Sequence, residues 1–200
     1  MNVIFLTLVQ MQDISSPGIY TDLMRKFRDE GHNVYVVSPI ERRLGLTTSF
    51  ETECGIHVLR VETLNITKSS IIEKGIGTIL LELQYKNAIR KYLKGIQFDL
   101  ILYSTPPITF TNVVITLKKS NPKAFTYLLL KDIFPQNAVD IGLLSATGIK
   151  GVMYKYFRRI EKKLYNISDY IGCMSPANVD YIIKHNPQLK REKLEIAPNS

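Results

Sequence analysis

Residues 127–144 read YLLLKDIFPQNAVDIGLL, and this stretch decides the fold. Tyr127-Leu128-Leu129-Leu130 is an uninterrupted apolar run, the signature of a strand buried on both faces. It stops at Lys131-Asp132, and Pro135 prevents regular structure from continuing. In an open parallel α/β sheet, ligands sit in the crevice at the carboxyl ends of the strands. A charged pair placed where a buried strand ends is therefore a site candidate. The structural alternative is that Asp132 caps a short helix over residues 133–139.

Reading outward from it, the chain alternates between the two periodicities. Asn2 to Val9 is a nearly continuous apolar run and a first parallel strand. A polar loop, Gln10 to Gly18, leads to a helix with Ile19, Leu23 and Phe27 on one face and Gly31 as its stop. Val34–Val37 is a second strand, terminating at Ser38-Pro39, and Ile56–Val61 is a third, placed at the sheet edge because it alternates. Residues 70–94 form a long helix with Ile72, Ile76, Ile79, Leu80, Leu83 and Ala88 on its apolar side. Phe98–Tyr103 is a strand, and the next helix carries Phe110, Val113, Val114 and Leu117 and breaks at Ser120-Asn121-Pro122. Beyond the central stretch, Ile149–Leu164 is a basic amphipathic helix and Tyr170–Met174 a strand. Ser175-Pro176 opens a helix with an N-cap and a first-turn proline, and Leu194–Ala197 closes the series. About seven strands alternate with helices, which predicts one α/β, doubly wound, Rossmann-like domain over residues 1–200 with a mostly parallel sheet.

Composition narrows the class. The chain is 45% hydrophobic and 22% charged, with a mean hydropathy of −0.01. No apolar stretch approaches the roughly 18 residues of a membrane span. The N-terminus lacks the basic region and cleavage site of a signal peptide, so a cytoplasmic protein is expected. Cys54 and Cys173 are far apart and no His pair accompanies them, which predicts free thiols and no metal. The net charge of +8 suits phosphorylated substrates, an anionic membrane or nucleic acid, or simple solubility. The charge is spread over several helices without a recognised reading module, so nucleic acid is not an expected partner.

The loops at the carboxyl ends of the strands gather Gly18, Arg42, Arg43, Ser104, Thr105, Lys131, Asp132 and Ser175. One glycine, several hydroxyls, three cations and a prominent carboxylate suit a polar, phosphorylated ligand. Arg42 and Arg43 are candidates to fork onto a diphosphate, or are solvated loop residues. Several chemistries lack their motif. There is no GxSxG elbow, no Walker A loop and no GxGxxG after the first strand, and a glycosidase would need a second facing carboxylate.

Five segments in order carry a family resemblance. They are Gly18-Ile19-Tyr20-Thr21-Asp22-Leu23, Glu30-Gly31-His32-Asn33-Val34, Val36-Val37-Ser38-Pro39 with Glu41-Arg42-Arg43, Asp132-Ile133-Phe134-Pro135, and Ala197-Pro198-Asn199. The chain resembles the N-terminal half of a family 4 glycosyltransferase of GT-B architecture, most similar to the branch that builds bacterial capsule, colanic acid and O-antigen chains. The resemblance implies an acceptor-binding Rossmann-like domain facing a second, donor-binding domain that the 200 residues do not include. It implies transfer from a UDP- or GDP-sugar to a lipid-linked saccharide with retention at the anomeric carbon, and no cofactor or metal. Asp132 would line the cleft near the reacting sugar. Gly18 would let acceptor and donor diphosphate approach the backbone, and Asn199 would lie at the inter-domain hinge. Lys131 stands where many members have His, so that residue's role does not carry over. The 200-residue chain alone is expected to be inactive. The rival reading is a non-catalytic subunit that binds acceptor or membrane and partners a separate donor-binding chain.

Two helices bear on a peripheral contact with the inner face of the membrane. The basic helix 149–164 could lie on an anionic membrane beside a lipid-linked acceptor, but the stripe of Ile149, Val152, Met153, Tyr156, Phe157, Ile160 and Leu164 is also what a sheet-covering helix needs, and core packing is the favoured reading. The helix over 70–94, whose end carries Lys86, Arg90, Lys91 and Lys94, is the expected membrane contact.

Overall fold

The computed structural model describes residues 1–65, 71–106, 108–145 and 147–198, apart from the side chains of 71–79 and 149–150. Asn199, Pro107 and the apolar side chains expected at Ile72, Ile76, Ile79 and Ile149 lie outside the described residues. The strands are β1 (Asn2–Leu6), β2 (Asn33–Glu41), β3 (Ser49–Glu53), β4 (Ile56–Thr63), β5 (Leu100–Ser104), β6 (Phe125–Leu130), β7 (Tyr170–Cys173) and β8 (Leu194–Ile196). The helices are α1 (Ile19–Asp29), α2 (Ile71–Tyr92), α3 (Thr111–Ser120), α4 (Gln136–Asp140), α5 (Gly148–Ile167) and α6 (Pro176–His185). The strands form one sheet in the order β3-β4-β2-β1-β5-β6-β7-β8, all parallel except β3.

Chain order reverses beside β1. The β1–α1–β2 unit runs toward one edge, and β5 then starts a series toward the other. With crossovers of one hand, the helices of the two series fall on opposite faces. Met24 of α1, with half-buried Leu23 and Phe27, packs on Phe5, Val34, Val36 and Val58. On the other face α2, α3, α5 and α6 cover Ile4, Leu6, Ile101, Leu128, Leu130 and Ile171. Both faces of the central strands are thus buried, which is why they read as unbroken apolar runs.

Four expectations are corrected. The sheet has eight strands, because Ser49–Glu53 pairs antiparallel with β4 and takes the edge position expected for Ile56–Val61. This strand is mostly exposed and polar, so no apolar period announces it. Its hairpin turn is Cys54-Gly55, with φ of 49° and 75°, the pair of positive values a tight two-residue hairpin needs. Second, β2 does not stop at Ser38-Pro39 but runs on to Glu41. Its pairing with β1 ends at Val37, so Pro39 has a strand neighbour only in β4 and its missing N–H breaks no ladder on the open side. Third, of the two roles left open for Asp132, that of helix cap drops out. Pro135 occupies the position before α4, with no side-chain cap. Fourth, the α5 stripe is only partly core. Leu164 is buried and Phe157 and Ile160 are half-buried, whereas Val152, Met153 and Tyr156 are exposed.

Candidate functional site

The reversal between β1 and β5 opens a crevice at the carboxyl edge, as expected where strand order switches. On the α1 face of the sheet, the residue that follows the apolar layer is polar on strand after strand. Thr7 follows Phe5, Ser38 follows Val36, Ser104 follows Leu102, and Lys131 follows Leu129. The Thr7 hydroxyl accepts from Val9 N at 3.0 Å and from Ser104 Oγ at 3.4 Å. Its carbonyl accepts from the buried Tyr85 phenol at 2.7 Å. This fixes the floor.

The Thr105 hydroxyl accepts the backbone N–H of Lys131 at 3.0 Å and of Asp132 at 3.4 Å. It is buried, so its part is to hold the end of β6 rather than to touch solute. The Asp132 side chain is exposed above it. Burial pushes the Tyr20 phenol above its usual range; a hydrogen bond with Ser104 opposes this and the nearby Asp132 carboxylate adds to it. Tyr20 therefore stands near the ends of β5 and β6. Lys131 is half-buried, borders a cavity of about 310 Å³ walled by Tyr20, Leu23, Leu102 and Leu129, and is lowered by that burial.

A cleft of about 490 Å³ lies between the β1–α1 loop and the start of α1, lined by Gln10, Gln12, Asp13, Gly18 and Tyr20 among others. Gly18 stands at the N-cap position before α1 and has no side chain to cap it, so the first backbone N–H groups of the helix border this cleft without a side-chain acceptor. The backbone at Gly18 is extended, which any residue adopts, but a Cβ there would stand 3.0 Å from Thr21 Oγ1. That hydroxyl is already committed to Ser16 O at 2.7 Å. Gln10 Nε2 is buried with no hydrogen-bond acceptor among the described residues.

Arg60 holds the loop in place. Its buried guanidinium donates to Met11 O at 3.0 Å and Gln12 O at 2.9 Å and pairs with Glu53 at 2.5 Å. Removing such a group would strand two carbonyls and a carboxylate.

Of the expected site residues, Gly18, Ser104, Thr105, Lys131 and Asp132 come together at this crevice. Arg42 and Arg43 sit in a short 3-10 turn after β2, and Arg43 pairs with the buried Glu41 at 2.8 Å. No hydrogen bond or ion pair given for the described residues joins either arginine to Gly18, Ser104 or Asp132. Ser175 does what an N-cap does: Asn178 N donates to its Oγ at 3.3 Å. It lies past β7, two strands from β5. Lys86, Arg90 and Lys91 run down α2, which ends at Tyr92 rather than at Lys94, and Lys94 follows in the turn toward the start of β5, the edge opposite the crevice. Sequence reasoning gave no role to Tyr20, Thr7 or Arg60. For Tyr20 the signal was present, two residues after Gly18. For Arg60 the signal was a lone charge inside an alternating strand.

Fold and crevice define one Rossmann-like half of a GT-B architecture. Two solved structures resemble the chain. One is described as trehalose-6-phosphate from E. coli bound with UDP-2-fluoro glucose, with a TM-score of 0.66, 8% identity, and coverage of 100% of this chain and 49% of that one. The other is an apo structure of OtsA, with a TM-score of 0.65, 10% identity and the same coverage. The chain thus spans about half the length of these structures, and at such identities the likeness is one of fold. No protein-family model matches the chain, and no curated protein matches it in sequence.

Proposed function

We propose that this chain is the acceptor-binding half of a retaining glycosyltransferase. In this reading the enzyme moves a sugar from a UDP- or GDP-sugar to a lipid-linked saccharide, in the making of a surface polysaccharide such as capsule or O-antigen. The observation that carries the reading is the convergence of Gly18, Tyr20, Ser104 and Asp132 at the strand-order switch of a GT-B-like half. Support also comes from the resemblance of the motifs to family 4 and from the nucleotide-sugar analogue in one structural neighbour.

Each group has a physical part. The uncapped start of α1 offers N–H donors and a positive dipole end to a diphosphate. The exposed Asp132 carboxylate accepts from sugar hydroxyls and favours positive charge developing at the anomeric carbon. Tyr20, a neutral phenol facing Ser104, offers a hydroxyl to the ligand's polar groups. Most donor contacts belong to the second half, so the 200 residues alone do not turn over.

Calorimetric titration with a short-chain prenyl-diphosphate saccharide tests this. Binding that Gly18→Ala or Asp132→Asn weakens, and that Arg90→Ala leaves alone, is the expected result. Binding indifferent to Gly18 and Asp132 would sink the proposal.

A further inference from the structure

A hollow of about 310 Å³ lies between the last turns of α2 and α3, at the edge of the sheet opposite the crevice. Its floor is apolar: Leu93, Phe98, Val113 and Leu117 border it and belong to the buried core. The nearby polar groups are engaged with the chain itself. Asn121 accepts from Phe98 N and donates to Leu117 O, both at 2.8 Å, and the Thr116 hydroxyl donates to Asn112 O at 2.7 Å. The rim carries Lys86, Arg90 and Lys94, spaced four residues apart and so on one side of α2 and of the turn that extends it.

Among the described residues, no carboxylate lines the hollow and no ion pair uses Lys86, Arg90 or Lys94. Arg90 makes one long hydrogen bond, to Asn87 Oδ1 at 3.4 Å. Two acids stand close in sequence and keep their charge, but each is held elsewhere. Glu82, one turn before Lys86, takes Asn112 N at 3.0 Å and Asn112 Nδ2 at 2.7 Å, and Asp99 takes Asn2 N at 2.7 Å. The carboxyl-terminal dipoles of both helices also favour cations here. Lys91 in the last turn of α2 and Lys119 in that of α3 meet them as well, which leaves the rim with positive charge to spare.

We infer that this hollow binds a small amphipathic carboxylate, with its apolar body on the floor of Leu93, Phe98 and Leu117 and its head between Arg90 and the flanking lysines. Charge complementarity selects the occupant: a guanidinium forks onto a carboxylate, and two ammonium groups flank it. An apolar floor whose neighbouring polar groups are already engaged leaves the hydroxyls of a saccharide unsatisfied, so a sugar does not suit it. The volume is near the lower end for ligand pockets, which limits the occupant to a compact molecule. This second site is separate from the crevice, and the inference goes beyond the proposed function without resting on it.

The test is an amide NMR titration of the isotope-labelled chain with decanoate and, separately, with uncharged decanol. Saturable shifts at Ile89, Leu93, Phe98 and Leu117 with decanoate are expected, while Gly18 and Asp132 stay still. Decanol should bind about tenfold more weakly or worse. R90E/K94E reverses two exposed side chains and should weaken decanoate by about tenfold or more. T116W sets a ring over the mouth from an exposed position and should abolish binding. The spectrum of each free variant separates lost fold from lost binding, and R90E/K94E decides the matter if T116W does not fold. Decanol that binds as tightly as decanoate would overturn the inference. So would binding that R90E/K94E leaves unchanged, or a titration without saturable shifts in the hollow. Decanoate carries no saccharide, so failure here leaves the crevice titration standing, and failure of that titration leaves this result standing.

Discussion

The Thr105 hydroxyl, one residue past β5, accepts the backbone N–H of Lys131, one residue past β6, at 3.0 Å, and that of Asp132 at 3.4 Å. A single buried oxygen therefore sets where the charged pair stands. Thr105→Val keeps the shape and leaves both N–H groups without an acceptor, which costs about 1–3 kcal/mol. Chemical denaturation should show this loss, with the Lys131 amide exchanging faster, while Thr105→Ser stays near wild type. A Thr105→Val protein of unchanged midpoint would show that the bond contributes nothing.

Gly172 in β7 makes room for a neighbour. A Cβ there would meet the Tyr127 phenol at 2.5 Å and Ala197 Cβ at 2.8 Å, on the path by which Tyr127 reaches across to Glu195. Gly172→Ala overpacks this contact and should cost about 1–3 kcal/mol in the same measurement. Tyr127→Phe should not rescue it, because Ala197 blocks the methyl from the other side. Full stability of Gly172→Ala would contradict this packing.

Asp169 governs acid stability. Partial burial alone would raise its carboxyl, but hydrogen bonds from Thr126 N at 2.9 Å, the Thr126 hydroxyl at 2.9 Å and Lys118 at 3.2 Å hold it below the ordinary 3.8. The unfolded chain then binds more protons than the folded one just below that value, so stability rises with pH there. The contribution is present above 3.8 and lost as pH falls through the lowered folded value. Asp169→Asn should melt lower than wild type at neutral pH, with the gap closing in acid. A gap that is constant with pH would rule out the carboxylate as its source.

Much of the architecture was legible because double burial writes itself into β1, β2, β5 and β6 as apolar runs. The hairpin strand β3 was not, since an exposed edge strand such as SFETE needs no apolar residues and Cys54-Gly55 is a poor advertisement for a tight turn. At the crevice, Gly18, Lys131 and Asp132 were readable as punctuation where apolar runs end. Tyr20 was not assigned because its role depends on α1 bringing it onto Ser104, a contact between residues 84 positions apart that roughly no local pattern encodes. The exposed start of α5 was misread for a related reason. An apolar stripe looks alike whether the sheet reaches it or stops short.

Gly18 and Asp132 should matter to binding and little to folding. Asp132 is exposed, and Gly18→Ala alters a helix cap where the change is worth about 1 kcal/mol or less. Each substitution should weaken a prenyl-diphosphate saccharide about tenfold or more, equivalent to about 1.4 kcal/mol. Thermal melts beside the titrations separate the two effects; a shared collapse of fold and binding would count against a direct role.

The most direct test of the central claim is an amide NMR map of the isotope-labelled chain titrated with the short-chain prenyl-diphosphate saccharide and, separately, with UDP-glucose. The account predicts shifts at Gly18, Ile19 and Tyr20 together with Ser104, Lys131 and Asp132, on both sides of the strand-order switch. Shifts confined to the far end of α2 around Arg90 and Lys94, or none at the crevice with either compound, would contradict it.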